Sequence, residues 1–176
     1  MANQRLTDKT SLNEQAGSGD LLMVVDVSDT TGSSAGTSKK TDFKYVIQTD
    51  KISVSNVEAK SLDSSPKTLV GALSGYMITV FNVTIITTYA SATESSNASL
   101  YLGYDTSQTT RYFGTSSRFM GSQTTSNCYM YGGEQSTHGV KSSSIINSAF
   151  SMWSSTAFNG GWSADVYVTY AYTKVL

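Results

Sequence analysis

Few side chains in this 176-residue chain could do chemistry, and they are scattered: one histidine (His138), one cysteine (Cys128) and thirteen acids. One His and one Cys cannot make an ordinary zinc centre, which takes four ligands drawn from His, Cys and carboxylates. A serine hydrolase needs Ser, His and an acid brought together, and beyond Pro66 there is no G-x-S-x-G nucleophile turn. Of the acids beyond Pro66, Glu94, Asp105, Glu134 and Asp165, two could serve a glycosidase as acid and nucleophile, but their spacing relates no two of them. Near the start, "VDVSDTTGSSAGTSKKT" (Val25 to Thr41) places two glycines and Lys39-Lys40-Thr41 after an apolar run. A phosphate loop needs four residues between its glycines and a lysine directly after the second. Here three residues separate Gly32 from Gly36, and Thr37 follows. The segment therefore reads as the long polar tip of a hairpin, between Leu21–Val27 and a second strand through Phe43, Tyr45 and Ile47. Asp26 and Asp29 read as turn formers rather than calcium ligands. The chain is expected to be non-enzymatic, with no metal and no cofactor.

Two other features suit ligand contact. "RYFGTS" and "RFMGSQ" repeat Arg-aromatic-x-Gly at Arg111 and Arg118, and an arginine beside an aromatic face suits sugars or carboxylates, although a local duplication in two adjoining strand edges would give the same pattern. Trp162, in a Gly/Asn-rich stretch, has the setting of a sugar-stacking platform.

The elements that must position these residues fall into two parts. Residues 1–67 hold 8 Lys/Arg and 9 Asp/Glu, whereas residues 68–176 hold 4 of each, and ten of the eleven tyrosines and both tryptophans lie beyond Pro66. That contrast divides the chain into an N-terminal module (1–47), a neck or linker (48–67) and a C-terminal domain (68–176). The C-terminal part is rich in Tyr, Val, Ile, Phe and Thr in short runs separated by Gly, Ser and Asn, the pattern of strands and turns. Expected strands are Tyr76–Tyr89, Ala98–Tyr104, Thr110–Gly114, Cys128–Gly132, Ser144–Trp153 and Ala164–Lys174, with at most a helical turn near "TLVGALSG". Such spacing fits an antiparallel, jelly-roll-like β-sandwich. In Tyr76–Tyr89 the apolar phase slips: Ile78 and Val80 alternate one way, Phe81, Val83 and Ile85 the other. The strand is either bulged near Val80 or apolar on both faces. The second option makes Ile78, Phe81, Val83, Ile85 and Tyr167 candidates for an oligomer interface, and a homotrimer is expected.

Charge and hydropathy narrow the partners. A net charge of −1 with 14% charged residues provides no basic face, so nucleic acid is not expected. The longest apolar runs are too short and interrupted to span a bilayer, and the start lacks the apolar core of a secretory signal. A lone cysteine gives no internal disulfide and suits a reducing cytosol, so a soluble chain made in the cytoplasm is expected.

The pieces "LTDKTSL", "DLLMVVDVSDTT" and "GTSKKT", within Leu6 to Val46, resemble a module near the start of virion appendage proteins of tailed bacteriophages, both head fibres and tail fibres. The resemblance covers about a quarter of the chain. It implies attachment to a major capsid or other virion protein through the N-terminus, with Leu6, Leu12, Leu21, Leu22, Val24, Val25 and Val27 as anchoring candidates. It also implies a C-terminal domain projecting outward as a trimer. A short neck favours a head fibre on the capsid exterior over a tail receptor-binding fibre, with a host surface polysaccharide as a further candidate partner. A free carbohydrate-binding lectin is the alternative of another class.

Overall fold

A computed structural model describes residues 21–42, 46–104, 111–114, 118–132 and 142–175, and Leu6, Leu12, His138, Asp105 and Glu134 lie outside them. The chain divides into two compact units, Met1–Val46 and Ile47–Leu176.

In the first unit, strand β1 (Leu21–Asp26) pairs antiparallel with β2 (Thr37–Asp42), from Leu21 opposite Asp42 to Asp26 opposite Thr37. The second strand as described is the polar run "TSKKTD", and Phe43 and Tyr45 of the expected strand lie outside the described residues. Its placement follows from the tip. Asp26 accepts hydrogen bonds from the Ser28 N–H (3.1 Å) and hydroxyl (2.6 Å), and Asp29 accepts from the Thr31 N–H (3.0 Å) and hydroxyl (2.7 Å). The Thr37 hydroxyl donates to the Asp29 carbonyl at 2.7 Å and accepts from the Gly32 N–H at 3.0 Å. Lys39 closes the turn, its ammonium 2.8 Å from Asp26 and 2.9 Å from Asp29. Gly36 is required at φ +114°, because a Cβ there would lie 2.8 Å from both the Asp26 carbonyl oxygen and Val25 Cγ1.

The second unit is a sandwich of two four-stranded antiparallel sheets. Its strands are β3 (Gln48–Val54), β4 (Lys67–Val70), β5 (Tyr76–Tyr89), β6 (Leu100–Tyr104), β7 (Arg111–Gly114), β8 (Cys128–Gly132), β9 (Phe150–Ser154) and β10 (Trp162–Lys174). The sheet orders are β3-β10-β5-β8 and β4-β9-β6-β7. The pairs β3/β10, β4/β9, β5/β8 and β6/β7 are those of one long hairpin wound over itself, the jelly roll.

The stretch expected to be a neck, 48–67, belongs to this sandwich. β3 pairs with β10 along its whole length, from Gln48 opposite Tyr170 to Val54 opposite Ala164. Helix α1 (Asn56–Lys60) follows, opened by a capping box in which Ser55 and Glu58 satisfy each other's backbone N–H groups. Its Ala59, and Leu62 just beyond, are fully buried in the core. Glu58 also pairs with Lys67 at 2.5 Å, tying α1 to β4. The expected helical turn at "TLVGALSG" is instead the end of β4, with Leu69 and Val70 facing inward.

β5 resolves the phase slip by a bulge. Val80 pairs with Tyr170 and Asn82 with Thr169, leaving Phe81 as the extra residue. Ile78, Val80, Val83 and Ile85 consequently all face the core. Three of the expected oligomer-interface residues, Ile78, Val83 and Ile85, are thus packed inside their own chain against Val166, Val168, Leu100, Leu102, Phe150 and Met152. Burying such side chains stabilises each by roughly 1.5–3 kcal/mol, so they are unavailable to a partner.

Candidate functional site

Chemistry-bearing side chains in the sandwich are engaged in holding it. Glu94, in the β5–β6 connection, is 2% exposed. Its carboxylate accepts from the N–H groups of Ser96 (2.9 Å), Asn159 (3.1 Å) and Gly160 (2.8 Å) and from Trp162 Nε1 (3.2 Å). Burial pushes its pKa up, but the hydrogen bonds from Ser96, Gly160 and Asn159 outweigh that and hold it below the usual carboxylate value. A Cβ at Gly160 would lie 2.9 Å from the same carboxylate, so only glycine lets the β9–β10 connection approach. No local signal marks Glu94 in the sequence, because apart from Ser96 its partners Asn159, Gly160 and Trp162 lie more than sixty residues away. Asp165 accepts from the Ser53 hydroxyl at 2.7 Å and pairs with Lys51 at 2.9 Å. Among the described residues no three of His, Cys, Asp and Glu are grouped to hold a metal.

Trp162 is not a sugar platform. It is 2% exposed and packs edge-on against Phe158 (5.1 Å) and Phe119 (5.6 Å). As the first residue of β10 it faces inward with Ala164 and Val166, and its setting among glycines reflects the Glu94 cradle. The two Arg-aromatic-x-Gly motifs also part company. Arg111 lies on β7 opposite Gly103, whereas Arg118 opens a tight turn closed by the Gly121 N–H on the Arg118 carbonyl at 2.9 Å. There Arg118 has φ +73°, sends Phe119 into the core and remains exposed, its Nε donating to Asn97 at 2.9 Å. The run Gly32-Ser33-Ser34-Ala35-Gly36 spells G-x-S-x-G with Ser34 in the nucleophile's place, but it forms a hairpin tip rather than a strand-to-helix elbow.

What remains for interaction is apolar surface in two places. On the first unit, Leu21, Leu22, Met23, Val25 and Val27 are 41–76% exposed, while Val24 is half-buried. An apolar strand faces only a polar one, so the described hairpin cannot bury its own side chains. On the second unit, the outer face of the β3-β10-β5-β8 sheet carries Phe81 (45% exposed), Ile86 (42%) and Met130 (75%), with half-buried Tyr167 beside them.

No protein-family model matches the chain, and no curated protein is similar to it. Among solved structures, a chain of the cyanophage Pam1 capsid asymmetric unit is similar at a TM-score of 0.41 and 15% identity, with 97% of this chain and 98% of that chain covered. A likeness at that level carries no argument about role.

Proposed function

We propose that the chain is a non-enzymatic structural protein of a tailed-bacteriophage virion, a short head fibre on the capsid exterior. Residues 1–46 attach it to a major capsid or other virion protein, and the jelly roll projects as a homotrimer. One observation carries the reading: the apolar strand Leu21–Asp26 lies exposed on a hairpin whose tip is locked by Asp26, Asp29, Thr37 and Lys39. Those residues come from the segments that resemble phage appendage modules. A two-stranded hairpin is marginal alone in water, and one with this exposed row gains stability by burying it against a partner. Of the expected ligand contacts, Arg118 is exposed and can face a host polysaccharide.

Deleting residues 1–46 tests the reading. The remaining chain should keep its β-rich circular dichroism and cooperative unfolding yet no longer co-purify with particles. A folded 47–176 protein that still decorates particles would contradict it.

A further inference from the structure

The cradle around Glu94 holds a bond that is chemically labile. Asn159-Gly160 is the sole Asn-Gly step in the sequence. With no side chain to hinder it, a glycine nitrogen can attack the Cγ of the asparagine before it. The Cγ–N bond forms, the Cγ–Nδ2 bond breaks, the glycine N–H proton leaves with Nδ2 as ammonia, and a succinimide ring remains. Water then opens the ring to aspartate or isoaspartate.

Both residues of the step serve the fold. Glycine stands at 160 because a Cβ there would lie 2.9 Å from the Glu94 carboxylate. Asn159 joins the two connections through Ser95: its Oδ1 accepts from the Ser95 N–H at 3.0 Å and hydroxyl at 3.3 Å, and its Nδ2 donates to Ser95 Oγ at 2.9 Å. The same contacts oppose ring closure. The Asn159 and Gly160 N–H groups both donate to the Glu94 carboxylate, at 3.1 and 2.8 Å, and the Gly160 carbonyl accepts from Asn56 Nδ2 at 2.9 Å. Successive N–H groups aimed at one anion fix the backbone between them in a turn conformation. Closing the ring needs the peptide to rotate until its nitrogen eclipses Cβ, which takes the Gly160 N–H off Glu94. Attack also gathers negative charge on that nitrogen, next to a carboxylate that is 2% exposed and held ionised by its donors.

We propose that Asn159 is a latent modification site, a self-deamidation site that Glu94 and Ser95 keep closed. Conversion places a second carboxylate beside Glu94, or adds a backbone methylene to a connection with no room for a Cβ, so it irreversibly marks chains whose cradle has opened. The inference rests on the sandwich alone and is independent of the virion reading.

Peptide mass mapping of the full chain, incubated at mildly alkaline pH, gives the test by reading the amide-to-acid mass gain and isoaspartate at position 159. The unmodified folded chain should convert Asn159 roughly tenfold or more slowly than the urea-unfolded chain. Glu94→Gln and Ser95→Ala, each shown to be folded by circular dichroism, should both convert faster than the unmodified chain. Ile85→Val, which weakens the core without touching the cradle, should stay slow. If Glu94→Gln fails to fold, Ser95→Ala decides, since Ser95 is exposed. Folded cradle variants that convert no faster than the unmodified chain would overturn the assignment, as would an unmodified chain that converts as fast as the unfolded one. Equal acceleration in Ile85→Val would assign the protection to global stability and reject the inference.

Discussion

At the scale of the residue, two acidic clusters do structural work, one buried and one exposed. Glu94 collects N–H donors from Ser96, Asn159, Gly160 and Trp162, bonding two connections and the core tryptophan through one carboxylate. Glu94→Gln keeps the volume but turns an amide NH2 toward those donors, and losing a hydrogen bond to a charged acceptor costs about 2 kcal/mol. The urea midpoint should fall with an unchanged slope, and an unchanged midpoint would contradict the role. In the hairpin, the Thr31 hydroxyl and Lys39 beside Asp29 hold its carboxyl down to about 2, and Lys39 and Ser28 hold Asp26 lower still. Both folded values lie below the unfolded one. The contribution is therefore fully present above about pH 4 and is lost as pH falls through the folded values. The amide NMR signal of Thr31 should keep its dispersion at about pH 4 and lose it toward pH 2, with that of Ser28, held by Asp26, following at still lower pH, whereas collapse of both already near pH 5 would show that the carboxylates are not what locks the tip.

At the scale of the element, the strands legible in the sequence were those with long alternation. Ala164–Lys174, the bulk of β10, is legible because its inward residues recur at period two, Tyr76–Tyr89 because they do so on either side of one slip, and Cys128–Gly132 because turn residues flank it. β3 is disguised by its polar residues: Lys51 and Ser53 are exposed on its outer face and Asp50 on the other is half-buried, so the segment resembles a charged linker and the compositional break at Pro66 mimics a boundary. That break reflects which strand carries charge, not where the core ends. Trp162 and Glu94 were illegible for another reason, since only the closure of the β9–β10 connection onto the β5–β6 connection brings them together. The bulge at Phe81 makes a sharp prediction. Removing Phe81 alone restores one continuous register, with Ile78, Val80, Val83 and Ile85 still inward, so that deletion should fold with near-parental thermal stability. Removing Thr84 instead throws Ile85 and Thr87 to the outer face, and that chain should not fold. Equal tolerance of the two deletions would refute the bulge.

At the scale of the whole molecule, the two units divide the labour: one keeps its apolar strand exposed, the other encloses its core in two sheets. On the proposed reading a partner completes the first, whereas the second stands on its own fold. With no disulfide among the described residues, the stability of the second comes from packing of its core. The proposed fibre attaches in one direction, hairpin inward and jelly roll outward. A reconstruction of the intact particle at side-chain resolution tests it most directly. Three copies are expected at the capsid surface, with Leu21–Asp26 buried against another virion protein and the sandwich projecting into solvent. A particle in which the sandwich lies against the shell while Leu21–Asp26 faces solvent, or one that lacks the chain, would contradict it.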